Sequence, residues 1–260
     1  MVEFSKNYTL SIGPDNIREG KYHGILCLSD DSTDKDTFIF ILDSVLSSGG
    51  LNNVDTINII FRSLVNLFSV EKTQDNISEQ KGLWAELFFM RKNGGFRRWA
   101  KSWHNEPTGI FDFSTETKRL EIKSTTRPER IHEFSHTQLL TMPHQETTIV
   151  SYLLQEDDTG RSLKTLIDEA RSELFGNPHL IKLEKAIRRA GMAELDQDGP
   201  RFNEDYVNRH VAWFRSTEIP RFMTDEPPGV TGTHYKSDLT NAPKLSDQEI
   251  KSFILDFCIE

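Results

Sequence analysis

The most constraining feature of this sequence is a pair of short apolar segments that each carry an acidic side chain. Asp112 lies within the apolar residues 110–113, and Glu121 and Lys123 alternate with apolar residues over 120–124. The residues between the two segments are polar, so we predict two short strands joined by a turn. Side chains alternate across a strand, and we therefore expect Glu121 and Lys123 on one face, beside Asp112 of the neighbouring strand.

An acid next to an acid–x–lysine pattern is suited to a hard divalent cation. Carboxylate oxygens are the ligands that Mg²⁺ prefers, and the main-chain carbonyl of Ile122 is a natural additional ligand. Lys123 could then orient or deprotonate an attacking water and stabilise charge on a phosphate. The pattern alone is short enough to arise by chance, and the alternative is a surface hairpin with a salt bridge. Its apolar neighbours favour a half-enclosed site, so we predict a divalent-metal phosphodiesterase.

Glu86 is a further candidate ligand. It lies among apolar residues in a helix that we predict over residues 82–92, with Ser78 as its cap. A carboxylate in such surroundings is costly unless it is paired or binds a cation. We therefore expect Glu86 to enter the same site from a helix packed on the sheet.

Apolar periodicity predicts the remaining elements. Helices are expected at residues 38–46, 57–68, 163–174, 180–190 and 247–257, and strands at 8–12, 24–28, 130–134, 148–154, 207–214 and 218–222. The segments 24–28 and 148–154 are uninterrupted apolar runs, which is typical of buried strands.

Charge is distributed unevenly along the chain. The net charge is −9, but residues 91–130 contain ten Lys or Arg against five Asp or Glu, whereas the rest contains 21 against 35. Positive charge is therefore concentrated near the candidate site, where phosphates would need it, although a solvated basic surface is an equal alternative. Trp99 and Trp103 in this region could stack on bases, but tryptophans at helical spacing more often belong to a core.

Composition favours a cytoplasmic protein with no membrane span. Cys27 and Cys258 lie near opposite ends and have no metal-binding or redox spacing, as expected in a reducing compartment. We find no basic-then-apolar leader and no apolar run that approaches the roughly 18 residues of a membrane helix.

His132, Glu133 and His136 form a literal H-E-x-x-H motif, which is the signature of zinc proteases. That chemistry requires a helix, so that both histidines reach one ion. Pro128 lies just upstream, and Pro143 precedes His144, the only nearby candidate for a third ligand. We therefore expect these histidines to be structural, or to lie near nucleic acid, rather than to bind zinc.

Four segments carry a resemblance to a known family. The chain is similar to the PD-(D/E)xK nuclease superfamily, and more narrowly to an uncharacterised family labelled domain of unknown function 4420. The matching motifs are Gly82-Leu83-x-x-Glu86-Leu87, Asp112-Phe113, Glu121-Ile122-Lys123-Ser124 and His132-x-Phe134-Ser135-x-x-Gln138-Leu139. The likeness continues through Ser162-Leu163 and Ile219-Pro220-Arg221, and it therefore covers most of the chain.

This resemblance implies a fold and roles for individual residues. The fold would be α/β, a restriction-endonuclease-like core with a mixed central sheet flanked by helices. Asp112 and Glu121 would be metal ligands, Glu86 an auxiliary ligand and Lys123 catalytic, with Gln138 beside the lysine. One departure from the superfamily pattern is Phe111, which occupies the position of the usual proline before the first acid.

The resemblance also implies an activity and a setting. We expect a Mg²⁺-dependent DNA endonuclease, with Mn²⁺ as a substitute, in a bacterial restriction or anti-phage system. Its partners would be double-stranded DNA, a second copy of the chain, and methyltransferase and ATPase proteins of the same system. The alternative, motivated by the charge of −9, is a catalytically inactive DNA-binding or scaffolding subunit of a defence complex.

Three regions are expected along the chain. Residues 1–50 would form N-terminal strands and a helix, and residues 51–157 the nuclease core. Residues 158–260 would form C-terminal helices and strands that pack on that core.

Overall fold

A long antiparallel hairpin and two helices dominate the N-terminal part of the chain. The computed structural model describes residues 1–11, 13, 16–49, 54–69, 76–104, 109–140, 144–193, 198–224 and 226–257. The chain divides into two units, of which unit 1 comprises residues 1–71 and 176–181, and unit 2 comprises residues 72–175 and 182–260.

Unit 1 contains strands β1 (Val2–Ser11) and β2 (Ile17–Ile25) and helices α1 (Ser32–Ser47) and α2 (Val54–Phe68). The two predicted strands exist, but β1 begins earlier than the alternation over 8–12 indicated, and residue 12 lies outside the described residues. The expected buried run at 24–28 is wrong at its end, because β2 stops at Ile25 and Leu28 is 70% exposed. The apolar stripes of the helices form the core of the unit through Ile41, Ile60, Leu64 and Leu67.

A mixed four-stranded sheet forms the centre of unit 2. Its strands are β3 (Phe113–Ser114), β4 (Lys118–Thr125), β6 (Glu146–Leu153) and β9 (Ala212–Arg215), in the order β3-β4-β6-β9. The central pair β4–β6 is parallel, and both outer strands are antiparallel to their neighbours. Residues 148–154 were predicted as a buried central strand, and β6 confirms this.

Two small two-stranded sheets complete the β-structure of the described chain. Strand β5 (Ile131–Ser135) pairs with β10 (His234–Asp238), and β7 (Glu156–Ser162) pairs with β8 (Arg201–Phe202). The sequence did not predict β7, β8 or β10, because these segments are too polar or too short to show apolar alternation.

Helices cover the central sheet of unit 2. They are α3 (Ile77–Lys92), α4 (Phe96–Trp99), α5 (His136–Leu139), α6 (Leu163–Leu174), most of α7 (Leu180–Arg189), α8 (Glu204–Arg209) and α9 (Asp247–Phe257). Within the described part of the chain, none of the helices combines the length and apolarity needed to cross a lipid bilayer.

Helix α3 is the most deeply buried helix of unit 2 and carries Glu86. Seven of its apolar residues, from Leu83 to Met90, are at most 5% exposed, so apolar side chains surround most of the helix. Its cap is Asn76, whose side chain accepts the backbone N–H of Glu79 at 3.3 Å. The predicted cap, Ser78, instead lies inside the first turn.

The two strands predicted at 207–214 and 218–222 are wrong in large part. Helix α8 occupies residues 204–209, because the Asn203 side chain caps it by accepting the N–H of Tyr206 at 2.9 Å. Acidic residues in its first turn further favour the helix. Only residues 212–215 form a strand, and Ser216–Glu218 form a short 3₁₀ turn in place of a second one.

Candidate active site

A cavity of about 250 Å³ opens beside β3 and β4, where the candidate residues meet. Four of the residues singled out from the sequence line it: Glu86, Asp112, Glu121 and Gln138. They come from α3, the turn before β3, the middle of β4 and α5. The fold therefore brings together side chains that are up to 52 positions apart in the sequence.

Asp112 and Glu121 are joined through main-chain N–H groups. A strand was predicted over residues 110–113, but β3 contains only Phe113 and Ser114, and Asp112 lies in the bend just before it. Its Oδ2 accepts the N–H of Ile122 at 2.6 Å, and its own N–H donates to Glu121 Oε2 at 3.3 Å. Each carboxylate therefore lies against the backbone that carries the other.

Glu121 is held on its other side by an ammonium and an amide. Lys123 Nζ lies 2.8 Å from Glu121 Oε1, in agreement with the expected placement of both side chains on one face of β4. Gln138 Nε2 donates to the same oxygen at 2.8 Å and to the carbonyl of Ile110 at 2.9 Å. The Lys123 ammonium also lies 5.2 Å from the centre of the Phe134 ring.

Glu86 enters the cavity from α3. The indole N–H of Trp103 donates to Glu86 Oε2 at 2.7 Å, which fixes one oxygen of the carboxylate. Trp103 and Trp99 are fully buried, so the expectation that they belong to a core is confirmed and base stacking is excluded.

Burial and neighbouring charge shift the pKa of three groups of the site, Glu86, Asp112 and Lys123. Burial raises the pKa of Glu86 to about 7, aided by the charge of Glu121 and opposed by the Trp103 hydrogen bond. Burial also raises the pKa of Asp112 well above its usual range, with further contributions from the charges of Glu121 and Glu86. Burial alone would lower the pKa of Lys123, but the charge and hydrogen bond of Glu121 outweigh it, so this pKa is raised.

These acids fit a hard cation by the chemistry of their donor atoms. Three carboxylates share one small cavity, and burial, with a further contribution from neighbouring negative charge, raises the pKa of Glu86 and of Asp112. Among the described residues, however, no three His, Cys, Asp or Glu side chains form a ready-made coordination sphere. Hydrogen bonds or the Lys123 ammonium already occupy Asp112 Oδ2 and both oxygens of Glu121, so an ion that binds these atoms requires the side chains to turn.

The H-E-x-x-H motif runs from strand β5 into the first residue of α5 and does not lie along one helix. His132 belongs to β5, where period-two alternation buries it while Glu133 is exposed, and His136 is the first residue of α5. His132 Nε2 lies 2.7 Å from Ser151 Oγ, and burial lowers its pKa to about 4, aided by the charges of Lys123 and Arg130. The expectation of a structural histidine is confirmed for His132, and this arrangement excludes the zinc-protease geometry.

Two contributors to the site were not found from the sequence. Trp103 was expected in a core, but its hydrogen bond to Glu86 has no local sequence signal. Arg189, near the end of α7, lines the cavity, and its charge lowers the pKa of Glu86. Both depend on tertiary packing between distant segments, and a correlated pair of positions in related sequences is the signal that could reveal them.

The architecture and the site together define a class of protein. A mixed sheet flanked by helices, with an acid before an edge strand and an acid–x–lysine on the next strand, is the PD-(D/E)xK nuclease-like core that the sequence predicted. More specifically, the chain belongs to the family described as "Putative PD-(D/E)XK family member (DUF4420)", whose model matches residues 14–240. No curated protein and no solved structure matches the chain.

Proposed function

We propose that this protein is a Mg²⁺-dependent endonuclease that hydrolyses phosphodiester bonds of DNA. Membership of a PD-(D/E)xK family indicates a nuclease superfamily, and the proposal adds the metal, the substrate and the residues. The observation that carries it is the convergence of Glu86, Asp112 and Glu121 on one cavity, with Lys123 bound to Glu121.

In this proposal the cation is held by oxygen atoms of four residues. Asp112 and Glu121 supply carboxylates, Glu86 is an auxiliary ligand, and the carbonyl of Ile122 is an additional donor. The N–H of Ile122 donates to Asp112, and the N–H and C=O of one strand residue leave the strand on the same side. This supports a role for the Ile122 carbonyl at the same edge.

When bound, Mg²⁺ (or Mn²⁺ in its place) supplies positive charge to a phosphate and lowers the pKa of a bound water. The raised pKa of Lys123 keeps its ammonium protonated at neutral pH. The Lys123 ammonium would therefore orient the attacking water and stabilise the charge that develops on the phosphate. A protonated lysine favours this electrostatic role over the role of a base that deprotonates the water. Gln138 would hold Glu121 in place through its hydrogen bond.

The proposed setting is a bacterial restriction or anti-phage system in the cytoplasm. There the chain would act on double-stranded DNA as a homodimer, since cutting two strands with one site per chain calls for two copies. Methyltransferase and ATPase proteins of the same system are the proposed partners. This setting is supported only by the resemblance of the chain to its family.

Cleavage of supercoiled plasmid in Mg²⁺ or Mn²⁺ tests the activity. Asp112→Asn keeps an oxygen that can accept the Ile122 N–H, and Lys123→Met keeps a side chain over Phe134. Each should lower the cleavage rate about 100-fold or more, because each removes charge from the reacting centre. Glu129→Gln, which alters an exposed carboxylate in a loop, is the matched control and should cleave normally. Cleavage that survives both site substitutions would remove the assignment.

A second candidate function is a catalytically inactive DNA-binding or scaffolding subunit. It is favoured by the net charge of −9, which opposes binding of DNA by the chain alone. Titration calorimetry separates the two functions: an inactive subunit should bind DNA or a partner protein but give no heat with Mg²⁺.

A further inference from the structure

Arg119 lies on the same face of β4 as the two residues of the acid–x–lysine pattern. Strand β4 pairs with β6 without a register shift, and Arg119, Glu121 and Lys123 are opposite Thr147, Ile149 and Ser151. Because side chains alternate in a regular strand, the three charged side chains leave the same face. Arg119 lies two positions before Glu121, which corresponds to ~7 Å along the strand.

The Arg119 side chain is anchored at the cavity by an aromatic ring. Its guanidinium carbon lies 4.9 Å from the centre of the Phe111 ring, and Phe111 lines the cavity. Phe111 is itself only 7% exposed, so the ring is a fixed support. A guanidinium held over a ring by its carbon atom keeps its N–H groups as hydrogen-bond donors.

Arg119 differs from its charged neighbours on β4 because no acid of the described residues forms an ion pair with it. Lys118 is 2.9 Å from Glu146 and Lys123 is 2.8 Å from Glu121. The Arg119 side chain is partly buried, and its guanidinium carries a positive charge at any physiological pH. With no anion of the described residues paired to it, this positive charge is available to a negatively charged ligand.

We propose that Arg119 binds a backbone phosphate of a nucleic-acid strand, next to the phosphate at the candidate site, and that Phe111 holds its guanidinium in place. This rests on the proposed function, because it places the scissile phosphate at Asp112 and Glu121. Arginine suits the role, since its planar fork can donate two parallel hydrogen bonds to a phosphate. Arg119 is then a substrate-binding residue that positions the strand over the acids.

Salt-dependent DNA binding tests this without requiring cleavage. Fluorescence anisotropy is measured with a labelled duplex and the corresponding single strand, in Ca²⁺ in place of Mg²⁺, over a series of salt concentrations. Loss of one phosphate contact should reduce the slope of log K against log salt by about 0.9 on duplex DNA and about 0.7 on a single strand. We expect this reduction for Arg119→Gln, and by the same amount on unrelated DNA sequences.

The control variants separate the phosphate contact from charge in general and from packing. Arg127→Gln removes the same charge from an exposed loop residue just after β4 and should leave the slope unchanged. Arg119→Lys keeps the charge and should keep the slope, with weaker binding because the planar fork is lost. The thermal unfolding temperature of each variant is measured as well, so that a loss of binding caused by a packing defect is recognised.

Several outcomes would overturn the inference. These are an unchanged slope in Arg119→Gln, an equal reduction in Arg127→Gln or in Arg119→Lys, an effect confined to one DNA sequence, or no measurable binding of either probe by the unaltered protein. The plasmid-cleavage assay tests the proposed function separately. Binding with the expected slopes but without plasmid cleavage removes hydrolysis and leaves the Arg119 contact in place.

Discussion

Glu86 combines two opposing influences on one carboxyl group. Burial raises its pKa from 4.5 to about 7, while the indole of Trp103 favours the charged form. In the absence of a cation the group is therefore close to half protonated at neutral pH. A bound divalent ion would supply the missing positive charge and favour ionisation.

This raised pKa predicts that metal-free protein becomes less stable as pH rises. The folded state retains a proton on Glu86 between pH 4.5 and about 7, where the unfolded chain has lost it. Stability therefore falls through that window. Glu86→Gln has no proton to lose at this position and can still accept the Trp103 hydrogen bond. The free energy of unfolding of this variant minus that of the unaltered protein should therefore be about 2 kcal/mol larger at about pH 8 than at about pH 5.5.

Urea unfolding in the presence of a chelator, at both pH values, measures this difference. Glu129→Gln is again the control, because that carboxylate is exposed and its change should add no pH dependence of its own. A stability difference between Glu86→Gln and the unaltered protein that is the same at both pH values would contradict the role assigned to burial.

At the scale of elements, the helix that carries Glu86 depends on a cap that the sequence alone misassigned. Ser78 has a suitable side chain, but Asn76 lies at the true start of α3 and its side chain accepts the N–H of Glu79. We predict that Asn76→Ala lowers the free energy of unfolding by about 1 kcal/mol. Ser78→Ala should have little effect, and urea unfolding of the two variants compares them directly. Equal losses would mean that the cap is not at Asn76.

Other elements show which sequence signals were sufficient. Helices α1, α2, α6 and α9 were predicted correctly because their apolar residues recur at helical spacing over three turns or more. Helix α8 was missed because its six residues are too few for a period, and Val207 and the apolar residues after it were interpreted as a strand. The capping signal of Asn203, followed by two acids, was present and would have corrected this.

In the candidate site too, some features could be predicted from the sequence and others could not. The placement of Glu121 and Lys123 on one face follows from strand alternation, which is local and therefore predictable. The arrival of Glu86 beside them could be expected only because a carboxylate in an apolar stretch needs a partner. The hydrogen bond from Trp103 and the position of Arg189 depend on how distant segments pack, and no pattern within the sequence specifies them.

At the scale of the whole molecule, the tryptophans report on one unit. All four, Trp84, Trp99, Trp103 and Trp213, belong to unit 2, which also contains every residue of the candidate site. Unfolding followed by tryptophan fluorescence therefore monitors the unit that would bind the cation. Unit 1 contains no tryptophan, so its own side chains add nothing to this signal.

We predict that Mg²⁺ or Mn²⁺ raises the unfolding temperature seen by tryptophan fluorescence. Binding to the folded state alone should stabilise it by about 1.4 kcal/mol at ten times the dissociation constant. Asp112→Asn should abolish the shift, whereas Glu129→Gln should preserve it. A shift of equal size in Asp112→Asn would indicate a general ionic effect and would argue against a cation at this site.

The shortness of β3 has a consequence for solubility. An edge strand of a sheet exposes unpaired main-chain N–H and C=O groups, to which a strand of another molecule can add, and proteins protect such edges. Here β3 has not yet begun where β4 passes Ile122, and the carboxylate of Asp112 covers that N–H in place of a strand. The side chain proposed to hold a metal therefore also pairs a main-chain N–H that no strand covers, which makes asparagine a sounder replacement than alanine at this position.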